Sequence, residues 1–363
     1  MRKFGLKILD VYIIRKFVGT YFYAILLIVG IAVVFDVAEK MDDFVGKAAP
    51  LKAIIFDYYM NFIPYFANLF SSLFTFIAVI FFTSKMAYNT EIIAILSSGV
   101  SFKRMLFPYF ISATIIAIFS FLLNSFVIPP ANRTRIEFEN AYVRRPLRNT
   151  ERNIHRQVRP GIFIYMQSYN TNGDIGYKFT MEKIIDGKME SKLISDFIKW
   201  NPETDKWTVN NYHIRNYTNK GEEIITGEKI DTTIYLDPSD FSRRLNIVET
   251  MNVFELNEFI ALQQLQGAGN VEFYLIEKYK RVAFPFSTFI LTLIGVSLSS
   301  RKVRGGIGLH IGLGLALSFS YILFMQFSTM FSVGGSISPL LAVWIPNILY
   351  TVIALILYRL APK

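Results

Sequence analysis

Three histidines are the first candidates for chemistry in this sequence, because a neutral imidazole can bind a metal or carry a proton. They are His155, His213 and His310, and no two of them have the spacing of a metal-ligand pair. The chain has no cysteine, which excludes disulfides and thiolate metal sites. It also lacks an HExxH motif, a GxSxG elbow and a phosphate loop. We therefore predict no catalytic residue, no metal and no cofactor, and an enzyme is the least favoured class.

The most prominent feature of the sequence is its long apolar segments. Hydrophobic residues make up 52% of the 363 residues, and the mean hydropathy is +0.36. A membrane helix needs roughly 20 apolar residues. Four uncharged runs meet this length, and a fifth is long enough for two helices: residues 17–35, 58–84, 105–132, 282–300 and 305–358. The sequence therefore predicts an α-helical membrane protein with six transmembrane helices in two groups of three, in segments 1–132 and 251–363.

Basic residues in the short connections predict the orientation. They cluster before the first span, in connections 85–104 and 301–304, and at the carboxyl end. This pattern predicts that both termini of a multi-pass membrane protein lie in the cytoplasm. It also explains most of the formal net charge of +10, and no clustered basic face suggests nucleic-acid binding.

The segment between the two groups, residues 133–250, is polar and has period-two alternation broken by turn residues. The stretch "DFIKWNPETDKWTVNNY" indicates a β-hairpin. We predict an all-β domain outside the membrane, followed by an amphipathic helix that leads back to it. Alternation selects four residues for the interior of this domain, either as the core of an ordinary sandwich or as an apolar path for a substrate: Ile162, Ile164, Ile194 and Phe197.

A short helix is predicted between the second and third spans, in "NTEIIAILSSGVSFKRM" (residues 89–105). Asn89 or Thr90 can cap its amino end, Glu91 lies in the first turn, and Gly99 can form a left-handed carboxyl cap. One interpretation is an interfacial connector in which Glu91 interacts with the helix dipole. The other is a helix that docks onto a soluble ATPase.

Two further features lie in the fifth span. Four small residues recur every fourth position and form one ridge: Gly308, Gly312, Ala316 and Ser320. Such a ridge packs membrane helices closely, either within this chain or against a partner. His310 is the ionisable residue within this apolar run, and it is interpreted either as a neutral interfacial histidine or as a proton-coupling group.

The chain resembles the lipopolysaccharide export permease family LptF/LptG over nearly its whole length. The resemblance rests on "ILDVYIIRKF", the short helix quoted above, "NSFVIPPAN", "KWNPETDKWTV" and "EKYKRVAFPFSTFILTLIGVSLSS". The first of these motifs and the length are closer to the LptG branch. The resemblance implies a β-jellyroll-like periplasmic domain and a transport subunit without its own ATPase.

The resemblance also implies partners and site residues. The partners are a second, LptF-like permease, a cytoplasmic LptB-like ATPase dimer, a membrane-anchored LptC/LptA-like periplasmic bridge, and lipopolysaccharide. Glu91 matches the glutamate of the family's docking helix, and the ridge in the fifth span corresponds to a lateral gate against the partner's first span. We assign ATPase docking to six residues: Glu91, Ile92, Ile95, Ser98, Gly99 and Arg104.

Four cations near the outer ends of the first and third spans are candidate ligands for lipid phosphates: Lys40, Lys47, Arg133 and Arg135. The alternative for each is a snorkelling or solvated side chain. This sequence departs from the family pattern after the first span, where Asp42 and Asp43 occupy positions expected to be lysines. Two other functions stay open: a permease of another ATP-driven lipid or lipoprotein trafficking system, and a non-transport membrane scaffold or sensor.

Overall fold

A computed structural model describes residues 6–144, 149–218, 221–242, 244–301 and 306–361. Within these residues, six helical segments are long and apolar enough to cross a membrane. They are Ile8–Gly46, Ser71–Tyr88, Phe102–Tyr142, Val271–Ser299, Gly308–Val333 and Pro339–Leu360. A six-stranded antiparallel sheet lies between the third and fourth segments in the chain. The predicted fold class is confirmed.

The helices and strands follow one another in a simple order. The helices are α1 (Ile8–Gly46), α2 (Leu51–Ala53), α3 (Met60–Leu69), α4 (Ser71–Tyr88), α5 (Glu91–Ser97), α6 (Phe102–Leu122), α7 (Ile128–Tyr142), α8 (Ser239–Ser242), α9 (Val253–Leu265), α10 (Val271–Ser299), α11 (Gly306–Val333) and α12 (Pro339–Leu360). The strands are β1 (Arg152–Arg159), β2 (Ile162–Asn170), β3 (Ile175–Ile185), β4 (Lys188–Asn201), β5 (Lys206–Thr218) and β6 (Gly221–Thr232).

The chain divides into two compact units. The membrane unit contains Met1–Arg144, Val248–Val253 and Glu272–Lys363, and the β unit contains Arg145–Ile247 and Phe254–Val271. The predicted domain boundary at residue 133 falls inside α7. A π-helical turn at Leu123–Val127 precedes the two prolines of α7, so the helix continues past the end of the apolar run to Tyr142. Hydropathy marked the end of the span and not the end of the helix.

Helix α4 is the centre of the membrane unit, with 67% of its most apolar window buried. Two glycines allow neighbouring helices to approach it closely. A Cβ atom at Gly295 of α10 would lie 2.8 Å from Val79, and one at Gly314 of α11 would lie 2.2 Å from Ile80. By contrast, only 17% of the apolar window of α1 and 28% of that of α11 are buried. These two helices therefore keep broad apolar faces free within the unit.

The β unit is built on one sheet in which the described strands pair in chain order, β1 to β6. The predicted hairpin joins β4 and β5, where Trp200 pairs with Trp207 and Asn201 with Lys206. Trp207 is fully buried in an apolar cluster on one face, and its indole N–H donates to the carbonyl of Leu236 at 2.9 Å. Buried tryptophans need such a partner, so this bond fixes the segment after β6 onto that face.

The alternation of buried and exposed side chains is interrupted in β3, β4 and β5. The interruption lies at three neighbouring polar residues, Lys178, Asp196 and Asn211. Lys178 and Asn211 have positive φ angles of 53° and 48°. The Lys178 ammonium lies 3.1 Å from one carboxylate oxygen of Asp196, and the Asn211 amide donates to the other oxygen at 3.2 Å. These contacts hold the pKa of Asp196 below its usual range, with the bond from Asn211 contributing most. Because Lys178 and Asn211 have left-handed backbones, the residues that face the apolar cluster before them are out of step with those that face it after them.

Candidate functional site

The short helix between the second and third spans is present as α5. It is not capped as predicted: Thr90 adopts a left-handed conformation with φ 63°, and its hydroxyl donates to the Asn89 carbonyl instead of accepting from the helix. The carboxyl end does match the prediction, since Gly99 has φ 84° and its N–H donates to the Leu96 carbonyl at 3.0 Å. Ser98 is exposed, and its hydroxyl donates to the carbonyl of Ile95.

One face of α5 anchors the helix to the membrane unit. Ile92 is 1% exposed and packs in a cluster with Ile13 and Phe17 of α1 and with α6, while Ile95 is half-buried against the same cluster. The prediction that Ile92 contacts a docking partner is therefore wrong, because its side chain is fully used inside the chain. The face that remains open carries Ile93, which is 51% exposed.

The carboxylate of Glu91 is partly exposed and is held by α1. The Tyr12 hydroxyl donates to one of its oxygens at 2.8 Å, and the Asn89 amide lies 3.5 Å from the other. This side chain is oriented and still accessible, as a docking contact requires.

Arg104 makes a bidentate ion pair with Asp10 of α1. Its two terminal nitrogens lie 2.7 and 2.6 Å from the two carboxylate oxygens, and the Asp10 side chain is 1% exposed. Asp10 also accepts the backbone N–H of Lys7 at 2.9 Å, which caps α1. Arg104 was predicted to contact a docking partner, and in the structure it binds Asp10 instead. In the structure the pair joins the first turns of α1 and α6.

Two of the four predicted phosphate ligands are already paired within the chain. Lys40 lies 2.6 Å from Asp36 and also contacts the Tyr58 hydroxyl. Arg135 is buried and pairs with Glu139 at 2.9 Å. Each cation is paired with a carboxylate of its own helix, which would compete with a phosphate for it.

The other two predicted cations are exposed. The Lys47 ammonium donates to the Arg144 carbonyl at 3.2 Å, and a terminal nitrogen of Arg133 lies 3.5 Å from the Thr250 carbonyl. Both of these contacts are to backbone oxygens. Asp42 and Asp43 are exposed near Lys47 in the chain.

The small-residue ridge lies on an exposed face of α11. Gly308, Gly312, Ala316 and Ser320 are all exposed, and no atom of the described residues lies within 4 Å of a Cβ added at either glycine. Ser320 contacts the Tyr350 hydroxyl of α12. Gly314 makes a close contact with Ile80 on the other face of α11, and the ridge remains open at Gly308 and Gly312.

His310 is 4% exposed, and its Nε2 atom lies 3.1 Å from the carbonyl of Arg301. This contact with the preceding connection agrees with an interfacial histidine more closely than with a membrane-centre proton relay.

The four residues predicted for the β interior do not share one face. Ile164 is 2% exposed within the apolar cluster, and Ile162 packs at its edge. Ile194 is 46% exposed, between the buried Leu193 and Ser195, so its side chain lies on the opposite face. Phe197 is half-buried beside the interruption at Asp196. The assignment of Ile194 to the interior is wrong, because the sequence did not reveal which of two alternating faces is covered.

A charged cluster that the sequence analysis missed lies in the membrane unit, at the ends of α7 and α10. Arg135 reaches Glu249 at 3.6 Å, and Lys280 pairs with Glu277 at 2.9 Å. Burial, followed by the nearby Glu277 charge, raises the pKa of Glu249 to about 7. The sequence does contain a sign of this cluster, the charged start of "EKYKRVAFPF". In a hydropathy profile, however, these residues only mark the end of a membrane span.

Taken together, these features define a multi-pass membrane protein with a short helix anchored between its second and third spans and an inserted β unit. The sequence model of the family described as "Lipopolysaccharide export system permease LptF/LptG" matches residues 11–360. The chain belongs to this family, and it is accordingly a multi-pass inner-membrane permease of the lipopolysaccharide export system. A comparison with curated proteins finds no match.

Proposed function

We propose that the chain is the transport subunit of an ATP-driven exporter that extracts lipopolysaccharide from the inner membrane. The energy is supplied in trans by a cytoplasmic LptB-like ATPase dimer. The observation that carries this proposal is α5: a short helix whose inner face is anchored by Ile92, whose carboxylate at Glu91 is oriented by Tyr12, and whose outer face exposes Ile93. A rigid helix of this kind can transmit movement of a docked protein.

The orientation completes the proposal. Basic connections support a cytoplasmic position for both termini and α5, and a periplasmic position for the β unit. Lipopolysaccharide then leaves the outer leaflet and passes to a membrane-anchored LptC/LptA-like bridge. The LptG branch is supported by "ILDVYIIRKF" and by the length of the chain.

A second, LptF-like permease completes the pathway. The exposed ridge on α11 and the exposed apolar face of α1 are two surfaces of the membrane unit that suit a helix partner. Contacts between small residues involve no strong polar bonds, so such a seam can part and re-form as a lateral gate.

The test is co-purification combined with lipid release. The wild-type chain should bring down an ATPase and a second six-span permease, and Glu91→Lys should lose the ATPase while retaining the permease. Reversing a charge at a desolvated interface costs roughly 2–5 kcal/mol of association. Glu203→Lys makes the same charge change in the exposed β4–β5 turn and should have no effect. Normal ATPase binding and normal release by Glu91→Lys would refute the docking role, and different partners would favour another trafficking system.

A further inference from the structure

A polar cavity of about 90 Å³ lies inside the membrane unit, at the ends of the spans opposite to α5. The polar residues used below lie in its wall: Asn68, Asn124, Glu249, Glu277, Lys280 and Arg281. We call it the arginine cavity. None of the residues predicted from the sequence as phosphate ligands belongs to its wall.

Arg281 is the unusual member of this wall. It is 7% exposed, and its Nη2 atom donates to the carbonyls of Val248 and Met251 at 2.9 and 2.8 Å. Its Nη1 atom is buried and has no hydrogen-bond partner within the described residues. A buried guanidinium normally satisfies all of its donors, so an open donor on a residue of the cavity wall indicates that an acceptor from outside the chain can belong beside it.

The carboxylates nearby are already committed to other cations. Glu277 pairs with Lys280, and Glu249 is reached by Arg135. Glu139 pairs with Arg135 and Arg144. Within the described part of the chain, Arg281 is bonded to neutral carbonyls and to no carboxylate. The cluster therefore has four cations and three carboxylates. Arg281 is the cation that bonds to no carboxylate, and Glu277 and Glu249 attract it from a longer distance.

We propose that the arginine cavity binds a phosphate group, with Arg281 as its principal ligand and Lys280 as the second cation. Phosphate fits better than a carboxylate because its oxygens can accept from a guanidinium, an ammonium and amide groups at the same time. Asn124 supplies an amide in the wall, and Asn68 has its carbonyl oxygen occupied by Ser120, which leaves its N–H groups for an acceptor.

Glu249 does not prevent this binding. Its pKa is raised to about 7 by burial, with Glu277 as the next cause, so near neutral pH the carboxyl is about half protonated. It therefore repels an anion less than an ordinary glutamate would.

The phosphate can come from a lipid headgroup or from free phosphate in solution. The lipid source rests on the proposed export function, whereas the anion site itself does not. The test uses the full chain in phosphatidylcholine nanodiscs and measures its Tm with inorganic phosphate against chloride at equal ionic strength. A second arm replaces the added salt with phosphatidic acid in the disc, and its control uses diacylglycerol, which lacks the phosphate.

Phosphate should raise the Tm of the wild-type chain by a few degrees, because ligand binding to the native state stabilises it. Arg281→Gln should lose this shift. Since Arg281 also holds two carbonyls and its replacement can impair folding, Lys280→Gln is the second variant, and it should lose at least half of the shift. Lys278→Gln removes a neighbouring charge outside the cavity wall and should keep the full shift.

A shift with phosphatidic acid alone assigns the lipid source, and a shift with inorganic phosphate assigns the free ion as sufficient. Equal Tm values in phosphate and chloride, together with equal values in phosphatidic acid and diacylglycerol, would overturn the proposal and leave a water-filled cavity. An undiminished shift in both Arg281→Gln and Lys280→Gln would also overturn it. Failure to co-purify an ATPase would count against the export function but not against this site.

Discussion

Replacing Arg104 with methionine removes the guanidinium that binds the buried carboxylate of Asp10 and keeps most of the apolar stem. Removing one partner of a buried pair costs about 3–5 kcal/mol. The Arg104 side chain is 36% exposed, so we place the cost at the low end, about 3 kcal/mol. Asp10 would keep the N–H of Lys7 as a partner, which further limits the loss.

A cost of about 3 kcal/mol corresponds to a change of about 100-fold in an equilibrium constant. We expect the loss to appear as local opening where α1 begins, because the pair joins the first turns of α1 and α6. Amide hydrogen exchange of the first turns of α1 should therefore accelerate by up to about 100-fold in Arg104→Met. The ATPase should still co-purify, but its hydrolysis should drive less lipid release.

The double variant Asp10→Asn with Arg104→Met separates the ion pair from other effects. Neutralising Asp10 removes the stranded charge, so exchange in the double variant should be slower than in Arg104→Met alone. Arg15→Met removes an exposed cation from α1 and serves as the control. If Asp10→Asn were as damaging in the Arg104→Met background as in the wild type, the two side chains would not be coupled and the reasoning would be wrong.

Three other outcomes are expected. Gly312→Leu should obstruct the exposed ridge and lower lipid release without loss of ATPase co-purification. A cysteine at position 312 should crosslink to a cysteine in the partner's first span. A crosslink that leaves export unchanged would reject the gate. Glu249 has a native pKa of about 7, against an ordinary value of 4.5, so its native state holds a proton that the unfolded state loses. Stability should fall by about 3 kcal/mol as pH rises from about 4.5 through about 7, and Glu249→Gln should flatten this dependence in thermal melts; an unchanged pH profile would exclude Glu249 as its source. Photo-crosslinkers at Ile164 and Ile194 sample the two faces of the sheet. Lipid captured at Ile164 during ATP turnover would favour a lipid path over an ordinary core. Capture at Ile194 alone would show that the path lies on the other face.

Much of the fold follows from local patterns in the sequence. Runs without charge identify the six spans, and the turn residues of "NPETDK" identify the β4–β5 hairpin. The position of α5 and its glycine cap at Gly99 also follow from local signals, since a left-handed cap requires only the residue after the helix. Features of this kind depend on neighbours in the chain, which a single sequence displays.

The site was less predictable because its contacts join distant residues. Asp10 and Arg104 are 94 positions apart, and Lys40 meets Tyr58 across a helix connection. Nothing in the local sequence tells whether a cation near a span end is neutralised in this way. Likewise, alternation in β4 offers two faces, and only the segment that covers one of them decides that Ile194 lies outside.

The uncovered apolar faces of α1 and α11 have a consequence for the assembly of the complex. In water such faces would drive aggregation of an unpaired subunit, but lipid tails solvate them as well as another helix does. A newly made copy can therefore fold and remain stable in the bilayer without a partner. If pairing occurs through α11 as proposed, partner choice depends on steric fit along this helix and not on burial of apolar surface, so unpaired copies can accumulate in the bilayer before complexes form.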